Sequence, residues 1–107
     1  MPNITETNDS KYEEDVVKSN IPVLAYFKSE WCPSCKRISP VVDAVSGMYK
    51  DKVRFVKIDV TANIKTAEQN NVLSIPTLLF VKTGKETARN IGYISENGLK
   101  SFVDKNL

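Results

Sequence analysis

The spacing of apolar positions changes several times along the chain, and each change marks an element. Ile21 to Lys28 is a nearly continuous apolar run with aromatic and branched members, the pattern of a strand covered on both faces. From Pro33 to Met48 the apolar residues are Ile38, Val41, Val42, Val45 and Met48, spaced three, four and seven apart as one face of a long helix requires. Residues 53–59 form a second, mostly apolar strand, and 62–70 a weaker helix. Thr77 to Lys82 and Thr87 to Tyr93 predict two strands joined at Thr83-Gly84-Lys85, a connection short enough for an antiparallel hairpin. Ser95 then caps a final helix whose apolar face is Leu99, Phe102, Val103 and Leu107. Near the start, Ser10-Lys11-Tyr12-Glu13 fits a capping box, and Tyr12, Val16 and Val17 follow at near-helical spacing, which predicts a short helix over 10–19 ended by Asn20. Residues 1–9 have little periodicity and read as a ragged edge strand or a loose arm. The order is that of an α/β protein: a right-handed βαβ unit followed by a hairpin and a closing helix.

Pro40 falls inside the long helical pattern. It has no N–H to offer the Lys36 carbonyl and its ring crowds that turn, so a kink is expected there. The bend either aims the start of the helix or is simply tolerated.

Composition narrows the classes. At 107 residues the chain is long enough for one core, which predicts a single domain over 1–107. With 41% hydrophobic and 26% charged residues it falls among ordinary soluble proteins. A formal charge of +2 is too small to imply nucleic acid or an anionic membrane as partner, and no apolar stretch is long enough to span a bilayer. The polar, acidic first ten residues lack the apolar centre of a secretory signal, so cytoplasmic residence is expected. Thiols there are normally kept reduced, and a disulfide is more often catalytic than structural.

Both cysteines, Cys32 and Cys35, lie where the first apolar strand gives way to the long helix, with Pro33 and Ser34 between them. Proline is well suited to the first helical turn, so Pro33 marks the boundary. The unpaired N–H groups of that turn favour an anion, which predicts that Cys32 ionises more readily than a free thiol. Cys35, one turn further in, is expected to be more buried and less reactive. Two thiols so placed can exchange two electrons as a disulfide: Cys32 attacks, and Cys35 resolves the resulting mixed disulfide. The same spacing also supplies half of a zinc site, but the chain has no third cysteine and no histidine. The missing histidine also removes a Cys-His hydrolase. Two inert, packed cysteines are the plainest alternative.

The residues Trp31-Cys32-Pro33-Ser34-Cys35-Lys36, with Val23-Leu24-Ala25-Tyr26-Phe27 before them and Ile75-Pro76-Thr77, Gly84 and Gly92 after them, resemble the thioredoxin family. The resemblance runs from about residue 10 to the end. It implies a thioredoxin fold, with a central mixed sheet of four or five strands flanked by helices. It also implies a dithiol–disulfide oxidoreductase that reduces protein disulfides and uses no cofactor beyond the Cys32–Cys35 disulfide. Its partners would be a thioredoxin reductase or a similar electron donor, and disulfide-containing target proteins. A monomer is expected.

X–Pro bonds are mostly trans, but the resemblance implies a cis Pro76 facing the cysteines, with the Ile75 backbone open to an extended substrate segment. Trp31 is either a core residue or, with Ile75 and the region of Gly92 and Tyr93, part of a small apolar patch on which a target rests. Lys36 and Arg37 read as a solvated helix face. Tyr26 departs from the family, which usually carries a buried aspartate there near a lysine matched by Lys57. That acid is thought to move the proton of the inner cysteine, and a phenol is a poor base at neutral pH. The expectation is that water or Glu30 substitutes, while Lys57 pairs with Asp59. Pro33-Ser34 also departs from the usual Gly-Pro, and the pair between the cysteines helps set the reduction potential. A specialised oxidoreductase with a shifted potential and a dedicated target, or a binding module without turnover, therefore stays open.

Overall fold

The apolar run at residues 21–28 becomes the middle of a sheet. A computed structural model describes residues 3–107. In them lie strands β1 (Ile4–Glu6), β2 (Val23–Lys28), β3 (Arg54–Asp59), β4 (Thr77–Lys82) and β5 (Lys85–Ile91), and helices α1 (Pro33–Ser46), α2 (Ile64–Gln69) and α3 (Glu96–Asn106). The strand order is β1-β3-β2-β4-β5. β1 and β2 run parallel to β3, β4 runs antiparallel to β2, and β5 antiparallel to β4. The sheet is therefore mixed, and β2 is bonded on both sides. Met1 and Pro2 lie outside the described residues, and the remainder of the expected arm supplies β1, an edge strand.

Alternation along β2 divides the core. Leu24 and Tyr26 face α1 and α3, where they meet Ile38, Val42, Val45, Leu99 and Val103. Val23, Ala25 and Phe27 face the other way, against Tyr12, Val16, Val56, Ile58 and Leu79, with Val72 and Ile75 at the margin. All five residues from Val23 to Phe27 are buried, which is why the run reads as continuous rather than alternating. Phe102 adds an edge-on contact to Phe80 at 6.4 Å between ring centres.

Several predicted boundaries move. The capping box at Ser10 does not form. Asn8 begins the turn instead, its Oδ1 accepting from the backbone N–H of Ser10 and of Lys11, each at 3.0 Å. An asparagine carbonyl on a short stem reaches two N–H groups at once, so it displaces the serine two residues on. The winding that follows is π-type over Glu13–Val17, with Lys18 N–H bonded to the Glu13 carbonyl five residues back. α1 ends at Ser46 rather than Met48. A 3-10 turn follows over Gly47–Tyr49 and leaves Met48 half exposed. α1 runs unbroken through Pro40. Ser95 does cap α3, accepting from Gly98 N–H at 3.0 Å, but Leu107 lies beyond the helix and half exposed, outside the apolar face.

α2 is shorter than expected, and the N-terminal arm caps it. Asp9 Oδ1 accepts from Thr66 N at 2.8 Å and Thr66 Oγ1 at 2.6 Å. These bonds hold the Asp9 carboxyl below its ordinary pKa.

β5 starts at Lys85, two residues before the predicted Thr87, and ends at Ile91. The turn needs only Thr83 and Gly84, with φ of 49° and 80°, the left-handed pair that matches strand twist. A bulge at Phe80/Val81 absorbs the extra residue.

Gly84 sits where a Cβ would meet the Val17 carbonyl oxygen at 3.1 Å. Gly84→Ala should therefore destabilise the protein by about 1–2 kcal/mol through its left-handed backbone. A lowered urea midpoint with an unchanged m-value is the expected reading.

Candidate functional site

The site begins at the C-terminal end of β2, where Ser29, Glu30 and Trp31 lead into α1. Cys32 occupies the cap position of that helix with extended backbone, φ −98° and ψ 111°, and Pro33 takes the first helical position. The Cys32 sulfur stands where a serine or aspartate oxygen commonly sits, accepting from Cys35 N–H at 3.1 Å. An N–H aimed at the sulfur at the positive end of a 14-residue helix stabilises negative charge there. Both cysteines are free, so this is the dithiol form.

The two thiols differ sharply in environment. Cys32 is partly exposed, whereas Cys35 is 2% exposed among core residues. Burial, reinforced by contact with the Cys32 sulfur, pushes the Cys35 thiol up to about 11. The expected division into an outer and an inner thiol is present in the geometry.

Ile75 and Pro76 approach from across the sheet end. The Ile75–Pro76 peptide is cis, and the Cys32 sulfur lies 3.7 Å from the Ile75 carbonyl oxygen. Pro76 is buried at the start of β4, with its carbonyl accepting from Gly92 N–H at 2.8 Å. Gly92, at φ 93°, has open space where a Cβ would be, so only its backbone angle calls for glycine.

Trp31 is 85% exposed, which removes the core-packing alternative for it. Leu73 at 95%, in the segment leading to Ile75, and Tyr93 at 44% are further exposed apolar side chains. Arg37 does not simply point into solvent, since its guanidinium lies over the Tyr93 ring at 4.5 Å. That segment is pinned by Arg89, which donates to the carbonyls of Asn70 and Asn71 at 2.6 and 2.9 Å while pairing with Glu86.

Tyr26 is no simple filler. Its hydroxyl donates to the Cys35 carbonyl at 3.0 Å and lies 2.9 Å from Ser39 Oγ, which itself reaches the Cys35 carbonyl at 2.9 Å. Burial pushes the phenol well above its ordinary pKa, so it is neutral at working pH.

Around it, the expected Lys57–Asp59 pair does not form, and Glu30 has another partner. Glu30, offered as a substitute base, is an exposed side chain paired with Lys28 at 3.1 Å. Lys57 lies opposite Tyr26 in the β2–β3 register, but no ion pair joins it to Asp59. The Asp59 carboxylate accepts instead from Thr61 N at 2.9 Å and Thr61 Oγ1 at 2.6 Å, both closer in sequence and cheaper to order than a lysine tip. Sequence reasoning missed Ser39 altogether. Its signal was the four-residue spacing from Cys35, at which a serine hydroxyl commonly bonds back to a helix carbonyl. Among the described residues no three His, Cys, Asp or Glu side chains gather closely enough to form a metal-ion donor set, and no helix is long and apolar enough to cross a membrane.

A mixed five-stranded sheet presenting a capped outer thiol and a buried inner thiol beside a cis-proline defines a dithiol–disulfide exchange protein. The chain belongs to the thioredoxin family, whose model matches residues 3–105. It is 38% identical over 104 residues to "Thioredoxin C-2" of Corynebacterium nephridii, covering 97% of this chain and 96% of that protein. To a thioredoxin of Acidithiobacillus ferridurans it is also 38% identical over 104 residues, with the same coverage. The thioredoxin of Haemophilus influenzae is 37% identical over 107 residues, the full length of both chains. The reaction is thiol–disulfide exchange.

The raised Cys35 pKa has a readable sign. The folded state holds that proton more tightly than the unfolded chain, so its stabilising contribution is complete below about pH 9 and is lost as pH climbs toward about 11. Urea midpoints of the reduced protein should fall more steeply over that interval than those of Cys35→Ala. Parallel slopes would contradict the assignment.

Proposed function

We propose that this chain reduces protein disulfides with Cys32 as the attacking thiol and Cys35 as the resolving thiol. The observation that carries the division is the asymmetry of the pair: Cys32 Sγ caps α1 and receives Cys35 N–H at 3.1 Å, while Cys35 is 2% exposed. A Cys32 thiolate displaces one sulfur of a target disulfide and forms a Cys32–target bond. The freed target sulfur takes a proton. Cys35 then attacks Cys32 Sγ, the target leaves through its second sulfur, and two electrons have passed to it. The Cys32–Cys35 disulfide that remains is reduced by a thioredoxin reductase or a similar donor. No other cofactor takes part.

The surroundings have matching roles. Trp31, Ile75 and Gly92, with Pro76 holding the Ile75 backbone toward Cys32, form the surface on which an extended target segment lies. The Ile75 N–H has no partner among the described residues, and an added strand would supply one. Pro33 and Ser34 separate the sulfurs and contribute to the potential. Pro40 shapes the turn of α1 beyond them, and Lys57 stands beside Tyr26. The protein works as a single-domain, cytoplasmic monomer, where a reducing compartment keeps the pair cycling.

Insulin reduction driven by dithiothreitol tests the roles. Cys32→Ser should lose essentially all catalysis, and Cys35→Ser should accumulate a mixed disulfide with the target, visible by mass spectrometry. A Cys32→Ser variant as active as the parent would sink the proposal, and a bound target without turnover would favour a binding module.

A further inference from the structure

Arg37 is the arginine left without a carboxylate. Arg54 approaches Asp15 at 4.0 Å, and Arg89 is held by Glu86 at 2.8 Å and by the carbonyls of Asn70 and Asn71. Among the described residues no ion pair engages Arg37, and its guanidinium lies instead over the Tyr93 ring at 4.5 Å. The ring covers one face of the guanidinium and takes up none of its N–H groups, which lie in the guanidinium plane. Tyr93 therefore narrows the rotamers of the side chain while leaving its forked donors open. Little further freedom is lost when a planar anion arrives.

The pair sits on the rim of the Cys32 site. Tyr93 follows Gly92, whose N–H bonds the Pro76 carbonyl at 2.8 Å, and the Ile75 carbonyl one residue earlier lies 3.7 Å from Cys32 Sγ. Arg37 shares a face of α1 with Pro33 and Ser34, the two residues between the sulfurs. Its contact with Tyr93 thus joins α1 to the segment after β5 beside the outer thiol. Lys36, next to it, is exposed, whereas the Glu30 carboxylate is taken by Lys28. Two cations stand on this rim with no acid bonded to either.

We propose that Arg37, steadied by Tyr93, selects target disulfides flanked by Glu or Asp, its guanidinium holding the target carboxylate while Cys32 meets the target sulfur. The inference rests on the reading that Cys32 attacks protein disulfides, and it names the class of segment attacked. The reach fits. An α-helix rises about 1.5 Å per residue, so Arg37 lies about 7 Å along α1 from Cys32, and an extended target covers about 7 Å in two residues. The fork of N–H donors matches the two oxygens of a carboxylate, a match that a lysine ammonium lacks. Because the contact forms at a wet rim, its effect falls on association and weakens with salt. Arg37 sets the preference, and Tyr93 is a positioning residue that acts through it.

Symmetric disulfide dimers of one short peptide, carrying Glu, Gln or Lys two residues to each side of the cysteine, test the preference. The reduced protein is mixed with each dimer, and the released peptide thiol is alkylated and quantified by chromatography. The readout is the ratio of the Glu rate to the Gln rate, in which any general loss of activity cancels. At low salt the parent ratio should exceed that of Arg37→Gln by about three- to fivefold, the size of an exposed ion pair, and the excess should fade at about 0.5 M salt. The Lys dimer should be the slowest with the parent. Tyr93→Leu should lower the ratio, and Tyr93→Phe, which keeps the ring face, should restore it. A ratio in Arg37→Gln equal to that of the parent overturns the proposal, as does a preference that Lys36→Gln removes and Arg37→Gln keeps. An unchanged ratio in Tyr93→Leu overturns the steadying role of the ring. A parent that reduces none of the three dimers would show instead that disulfide reduction itself is misassigned, and the preference falls with it.

Discussion

The structure depends on β2 being satisfied everywhere at once. Its edges are bonded to β3 and β4, and both faces are covered. A strand with no free edge and no wet face cannot slide or rotate without stranding polar backbone or exposing apolar side chains. The residues just past its end inherit that rigidity. Ser29 to Cys32 leave the sheet at a fixed point, and α1 starts where the sulfur needs its N-terminus. A capped sulfur on a mobile loop would hold its N–H partner only part of the time.

Much of this can be read in the residues. The unbroken apolar run at 21–28 predicts a doubly covered strand, because alternation disappears when both faces are buried. Cys32 and Pro33 mark the start of α1, because proline at the first helical position and a cap before it are local preferences that the tertiary structure has no reason to oppose. The apolar residues of α3 and its Ser95 cap follow from the same short-range rules. The cis bond at Pro76 is different, since nothing local in Ile75-Pro76 demands it, and only the resemblance to a family implied it.

What was hidden is what depends on partners distant in sequence. Asp9 caps a helix that begins 55 residues later, and the helix's own cap residue, Asn63, gives no sign of it. The β5 boundaries hinge on a bulge opposite Phe80, invisible to a pattern that counts residues one at a time. Around Tyr26, reasoning from charge looked for a carboxylate and overlooked hydroxyls. Charge is conspicuous in a sequence, whereas a hydroxyl matters only when folding sets it against a carbonyl, and Ser39 meets Tyr26 only after α1 has docked on the sheet.

The contact between the Cys32 sulfur and the Ile75 carbonyl oxygen, 3.7 Å apart, ties two events together. A neutral thiol can donate there and keep the carbonyl occupied, while a thiolate has nothing to donate and repels the oxygen's lone pairs. Loss of the thiol proton would thus free one of the two acceptor positions of that carbonyl. One proton's departure therefore alters the sulfur and the polar backbone group beside it together.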